Sequence, residues 1–321
     1  MAKGFSTQGV CLLTDGQTML DDVASALRSH DFEIVRQLPP GENWCFGGPG
    51  VVVPFLPEVN GYAVVDVVSH PWPDLMGDPK TDAMTFGAWS MGFFGPLAFP
   101  GSLARAQQHA WAWEPGRTVP ERHGGFIRIR TSYVLGGDDK SPIMPADYDP
   151  LAEMNFISRI VLVLFGVSGV TCYFNPNGEV LYDDASFRRI WDACRQQENI
   201  PLPLWIDIRL FNLDAQFGFL DTVGNGQLDI SDVEAIFPRG EHEPGDIAYY
   251  LRNVTHYLLD HKGEIRTGEA IDGPGESNLS WTIEVLDEGA ITPPRRVVRL
   301  CPKASQEAIP RALAAISRGS A

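Results

Sequence analysis

The stretch Leu220-Asp221-Thr222-Val223-Gly224-Asn225-Gly226-Gln227-Leu228-Asp229-Ile230-Ser231-Asp232-Val233-Glu234 admits two readings that imply different architectures. Set on a twelve-position calcium loop, Asp221 takes position one, Asn225 five, Gly226 six, Gln227 seven through its carbonyl, Asp229 nine and Asp232 twelve. That reading makes Asp221, Asn225, Asp229 and Asp232 candidate ligands for calcium or magnesium and requires a helix on either side. Two positions fit poorly. Val223 at position three offers no side-chain oxygen, and an aspartate at twelve is one methylene short of the usual bidentate glutamate.

The upstream flank points the other way. Leu204, Ile206, Ile208 and Leu210 alternate with Trp205, Asp207 and Arg209, a period of two that predicts a strand. Residues 216–223 predict a second strand paired back on it, and Gly224-Asn225-Gly226 then supplies turn chemistry with positive φ. The surplus of acids is all that this strand-turn reading leaves over.

Composition bounds the rest. With 321 residues, 44% of them hydrophobic and 21% charged, the chain has the make-up of a soluble globular protein. Its formal charge of −16, from 41 acids against 25 Lys and Arg, argues against nucleic acid as a ligand, since phosphate binding needs clustered cations. A basic protein partner suits that charge better. The cysteines, Cys11, Cys45, Cys172, Cys194 and Cys301, are odd in number and scattered, which predicts neither a disulfide framework nor a zinc site. Residues 1–7 lack the apolar core of a secretory signal and the longest aliphatic run, 160–165, is too short to span a membrane, so a cytoplasmic location without membrane association is expected.

Read in order, residues 9–13, 19–28 and 33–36 predict a β-α-β opening, but no GxGxxG follows the first strand, which disfavours a dinucleotide site. Residues 51–53 and 63–68 predict further strands. The aromatic, Pro- and Gly-rich segment 70–101 is expected at a seam between two halves, and 102–113 as a helix with His109 and Trp113 on one face. Residues 126–134 predict a strand whose Arg128 and Arg130 share a face, either to hold an anionic ligand or, the favoured reading, to pair with the abundant acids. Asp149 and Pro150 mark the N-cap and first position of a helix over 151–165. Asn175-Pro176-Asn177-Gly178 between two apolar runs predicts a hairpin. Helices are expected over 184–197, 244–261 and 305–317, with closing strands over 281–286 and 296–300.

These elements predict an α+β fold, a two-layer sandwich of mainly antiparallel sheet with helices packed on it. The expected divisions are an N-terminal half over 1–75, a connecting segment over 76–120, a C-terminal half over 121–303 and a terminal helix and tail over 304–321. The two halves share an element order, which raises the prospect of a duplication.

No nucleophile elbow, phosphate loop or HExxH motif occurs. The remaining polar constellation is Asp207, Arg209, Asp221, Thr222, Asp229, Asp232 and Glu234, joined by the Gly-rich turn 268–275 with Asp272. Carboxylates at strand ends can hold a metal, do acid-base work, or serve as caps and arginine partners.

The runs Pro203-Leu204-Trp205, Asp221-Thr222-Val223-Gly224, Gln227-Leu228-Asp229, Asp232-Val233-Glu234 and Tyr249-Tyr250-Leu251-Arg252-Asn253, with the 268–275 turn, resemble the bacterial domain of unknown function 4261 family. Pro100-Gly101-Ser102-Leu103, Ala110-Trp111-Ala112-Trp113 and His123 resemble its middle section, so the resemblance runs from the first strand to Cys301. It implies a bacterial cytoplasmic protein, carries over no catalytic residue, and makes the Asp-Thr-x-Gly and Asp-x-Glu elements signatures of a strand pair.

The functional expectation is an acidic protein-binding protein without catalytic activity that masks a basic partner, as an immunity protein neutralises an antibacterial toxin. Asp207, Glu234 and Asp272 are the candidate partner-binding residues. The alternative is a divalent-metal-binding module or metal-assisted hydrolase centred on the Asp221 loop.

Overall fold

The structure, a computed structural model, describes residues 3–137, 141–275, 279–307 and 313. It divides the chain into two compact units, Met1–Trp205 and Ile206–Ala321. This boundary differs from the divisions expected from sequence.

In the first unit the elements run β1 (Gln8–Thr14), α1 (Leu20–Ser29), β2 (Arg36–Leu38), β3 (Gly50–Leu56), β4 (Gly61–Val68), α2 (Ala83–Ser90), α3 (Ser102–Gln108), β5 (Gly125–Ser132), α4 (Pro150–Leu164), β6 (Val170–Asn175), β7 (Val180–Tyr182) and α5 (Asp184–Gln196). The strands form one sheet in the order β2-β3-β4-β5-β1-β6-β7, every neighbouring pair antiparallel. β5, expected in a C-terminal half, lies between β4 and β1. The opening elements follow in the expected order β1, α1, β2, with β2 at the sheet edge and β3, β4 and β5 between it and β1.

Strand alternation gives β5 two unlike faces. Its Ile127, Ile129 and Thr131 face the side covered by α4, while Phe126, Arg128 and Arg130 face the irregular aromatic segment. There Trp72 meets Trp89, Phe94, Phe126 and Phe174 edge-on at centroid distances of 5.2–5.8 Å. The segment expected at a seam is thus a covering layer of the first unit. α4 starts as expected, with Asp149 Oδ1 accepting from the Leu151 and Ala152 amides and Pro150 first in the helix. α3 ends at Gln108, so His109 and Trp113 do not share a helical face. The Asn-Gly hairpin forms, but Asn175 Oδ1 caps the Asn177 and Gly178 amides and Glu179, not a glycine, takes positive φ.

The second unit contains β8 (Asp207–Asn212), β9 (Phe217–Val223), β10 (Asp232–Pro238), α6 (Pro244–Asp260), β11 (Ala270–Asp272), β12 (Ser280–Leu286) and β13 (Val297–Pro302). Its sheet has the order β11-β12-β13-β10-β9-β8, with β10 and β13 parallel and the other pairs antiparallel. The α+β class with largely antiparallel sheet therefore holds, while the two sheets differ in strand order and direction. α6 covers one face through Ile247, Leu251, Val254 and Leu258, all buried. The opposite face buries Phe217, Phe219, Ile236 and Cys301 beneath Ala290, Ile291 and Leu313. Of the expected last helix, Lys303–Ser305 forms a 3-10 turn, and 308–312 and 314–321 lie outside the described residues.

Candidate functional site

The strand pair β8–β9 brings Arg209 opposite Asp221, and the register continues Asp221 opposite Glu234, Glu234 opposite Arg299, and Arg299 opposite Glu284. Five charged residues thus form one row across five strands, on the face away from α6. The apolar alternation of 204–210 is inverted here. Residues 202–204 form a 3-10 turn, β8 begins at Asp207, Arg209 is 1% exposed and Leu210 is 40% exposed.

The row is closed from above by the β12–β13 connection, residues 287–296. Arg209 donates to both Asp221 oxygens at 2.9 and 2.6 Å and to the Thr292 carbonyl at 2.9 Å. Arg295 reaches Asp221 Oδ2 at 2.5 Å, Asp232 Oδ2 at 3.3 Å and the Thr222 carbonyl at 3.0 Å. Glu234 receives Arg299 Nε at 2.6 Å and the Ala290 amide at 3.0 Å. Two buried acids, Asp232 and Glu234, keep their carboxyls above the usual range, because burial outweighs the arginine that faces each of them.

Asp221 and Asp232 of the calcium reading are engaged by arginines and by donors of the loop itself, whereas Asn225 Oδ1 is buried without a hydrogen-bond partner among the described residues. Gly224, at φ 121°, opens a 3-10 turn over Asn225–Leu228, and Asp229 closes it at φ 59°. Asn225 donates its amide to Asp232 Oδ1 and its side-chain nitrogen to the Ser231 carbonyl and Thr255 Oγ1. Thr222 Oγ1 donates to Asp232 and accepts from the Val233 amide. The β9–β10 connection is therefore a wide, internally bonded loop and not a tight hairpin turn. Asp221 and Asp232 have guanidinium groups where a cation would need to sit. Among the described residues, no three or more His, Cys, Asp or Glu side chains are grouped to hold a metal ion.

The partner-binding assignment divides. Glu234 is fully buried, so it cannot present its carboxylate to a partner. Asp207 is half-buried in β8, and Asp272 is exposed on β11. The 268–275 turn does not join the row. Trp281, beside it, packs on Tyr250 of α6 at 5.4 Å and alternates with Glu284, which places the turn on the α6 side of the sheet.

Sequence reasoning missed Arg295 and Arg299, whose pairing shows only once strand order is known. It also missed two buried clusters in the first unit. Asp66 on β4 takes Arg128 at 2.7 Å, Arg130 at 3.2 Å and the Gly48 amide at 2.9 Å. Burial alone would push its carboxyl up, but the two guanidiniums outweigh that and hold it below the usual range. The pairing expected for these arginines is present, at the centre of a sheet and not on its surface. Glu153 of α4 is fully buried, accepting from Thr7 Oγ1 at 2.7 Å and Tyr148 Oη at 2.6 Å, and burial raises its carboxyl. The cysteines are free. Burial pushes the Cys172 thiol up to about 12 and Cys11 further, which leaves both unreactive as nucleophiles.

The fold and this row define an α+β protein whose second unit is organised round buried arginine-carboxylate pairs. Residues 221–301 match the family model described as Domain of unknown function (DUF4261), so this segment of the second unit is similar to that family. The matched segment begins on Asp221 and contains Asp232, Glu234, Arg295 and Arg299. No curated protein and no solved structure matches the chain.

Proposed function

We propose that this is an acidic, cytoplasmic binding protein without catalytic chemistry, which masks a basic protein partner in the manner of an immunity protein against a toxin. The observation that carries the reading is where the arginines go. Arg105, Arg128, Arg130, Arg209, Arg295 and Arg299 pair inside the fold with Glu179, Asp66, Asp221, Asp232 and Glu234. Those pairs withdraw nearly equal numbers of the two signs, so the excess of 41 acids over 25 Lys and Arg is carried almost entirely by residues outside them. A one-signed surface steers an oppositely charged partner and repels like-charged ones. No helix among the described residues is long and apolar enough to cross a membrane.

The test is affinity capture of the tagged protein from its own cells at low and high salt, with identification of what is retained. The reading expects one stoichiometric basic protein that is lost as salt rises. Retention of acidic proteins only, or of nothing at either salt, contradicts it.

A further inference from the structure

α6 leaves two tyrosines exposed on its outer side, Tyr249 at 65% and Tyr257 at 41%. They border a groove of about 430 Å³ that runs between α6 and β11 and is lined further by Tyr250, Asp246, Asp272 and Gly273. Among the described residues, no Lys, Arg or His lines it. Tyr250 is 7% exposed, yet its hydroxyl has no hydrogen-bond partner among the described residues, an arrangement that ordinarily costs stability unless something else satisfies the group. Burial raises the Tyr250 phenol, and the Asp272 charge raises it further, so Asp272 acts on the groove interior. β11 is an edge strand of its sheet, so an extended segment can run alongside.

We propose that this groove seats an arginine side chain of the basic protein partner. The inference rests on the masking reading and says where that partner is held. Aromatic faces and carboxylates without a competing cation complement a positive charge. A guanidinium suits them better than an ammonium. It lies flat on a tyrosine ring, offers a planar fork to Asp272, and keeps a further N–H for the unpartnered Tyr250 oxygen. An ammonium is a point charge without the stacking surface.

The experiment is fluorescence anisotropy of the full-length protein with labelled hexa-arginine, hexa-lysine and hexa-citrulline peptides at low salt. Wild type is expected to bind hexa-arginine several-fold more tightly than hexa-lysine and to show no binding of hexa-citrulline. The variants Asp272→Asn and Tyr249→Ala, both at exposed positions, should each weaken hexa-arginine by about tenfold, the scale of one lost ion pair or cation-π contact. Tyr250→Phe removes only the hydroxyl and should weaken binding without lowering thermal stability. Asp21→Asn on α1 provides the charge-matched control and should leave most of the affinity. If all variants bind as wild type does while salt abolishes binding, the groove assignment is overturned and charge masking stands. If wild type binds none of the peptides, the masking reading falls together with the groove. Equal binding of hexa-lysine overturns the choice of arginine.

Discussion

Asp221 shows how burial changes what a carboxylate is for. A solvated aspartate at a loop entrance is a reasonable cation ligand, but here the same side chain is fully buried between Arg209 and Arg295. A buried pair gains little over an apolar replacement, yet removing one partner strands the other charge and costs about 3–5 kcal/mol. Asp221→Asn should therefore lower unfolding stability by about 3–5 kcal/mol in urea titration, and Asp66→Asn should do the same in the first unit. A loss below about 1 kcal/mol, the level of an exposed pair, would show that these pairs do not hold their sheets. Glu153 gives the opposite sign of pH dependence from Asp66. Its carboxyl is raised on folding, so the folded state holds the proton more tightly, and stability falls as pH climbs from the ordinary glutamate range through the raised value. Asp66 is depressed, so its contribution is present above the ordinary aspartate range and is lost as pH falls through the lower folded value. Glu153→Gln should be more stable than wild type at neutral pH, with the difference closing towards pH ~4, where the unfolded-state glutamate itself takes up its proton. Denaturant midpoints across that range measure it, and parallel pH curves for the two proteins would contradict it.

At the scale of elements, the connection 287–296 is held to the sheet by polar contacts more than by apolar area, since Ala290, Thr292 and Arg295 each bond a residue on or beside the charged row. The Ala290 amide, bonded to buried Glu234, should be among the slowly exchanging amides of this connection, and Arg295→Ala should speed exchange over 287–296 more than elsewhere. Uniform acceleration across the second unit would show that the connection is not a separate clip. Added calcium or magnesium at millimolar concentration should leave the melting temperature unchanged, because a cation stabilises only through a site it can occupy. A rise that Asp221→Ala abolishes would restore the metal reading.

The elements themselves were largely legible. Apolar runs bounded by turns gave β9, β12 and β13, a cap gave α4, apolar spacing gave α5, and turn chemistry gave the 175–178 hairpin, because each is decided by neighbours in sequence. Burial of Arg209 in place of Leu210 was not legible. Alternation assigns the apolar residue inward unless a charged row elsewhere in the sheet claims that face, and the row takes its members from strands far apart in the chain. The same reason hid Arg295 and Arg299, and it misplaced β5, whose two sheet partners precede it in the chain while its own local pattern names neither. The acids of 220–234 were correctly singled out as unusual, but sequence offers no measure of burial to tell a site from a lock.

For the whole molecule, burying arginines against acids has two consequences. It ties strands together inside each unit, and because it takes nearly equal numbers of both signs out of solvent, the formal charge of −16 is carried by the residues outside these pairs. Long-range attraction between such a surface and a basic partner is screened within about 10 Å at 0.1 M salt, so affinity should respond steeply to ionic strength. The most direct measurement is the Kd of the captured partner as a function of sodium chloride. The account predicts that binding weakens by at least about tenfold between roughly 50 and 500 mM, mainly through a slower association rate. A Kd that holds constant over that range, or a partner that is itself acidic, would contradict it.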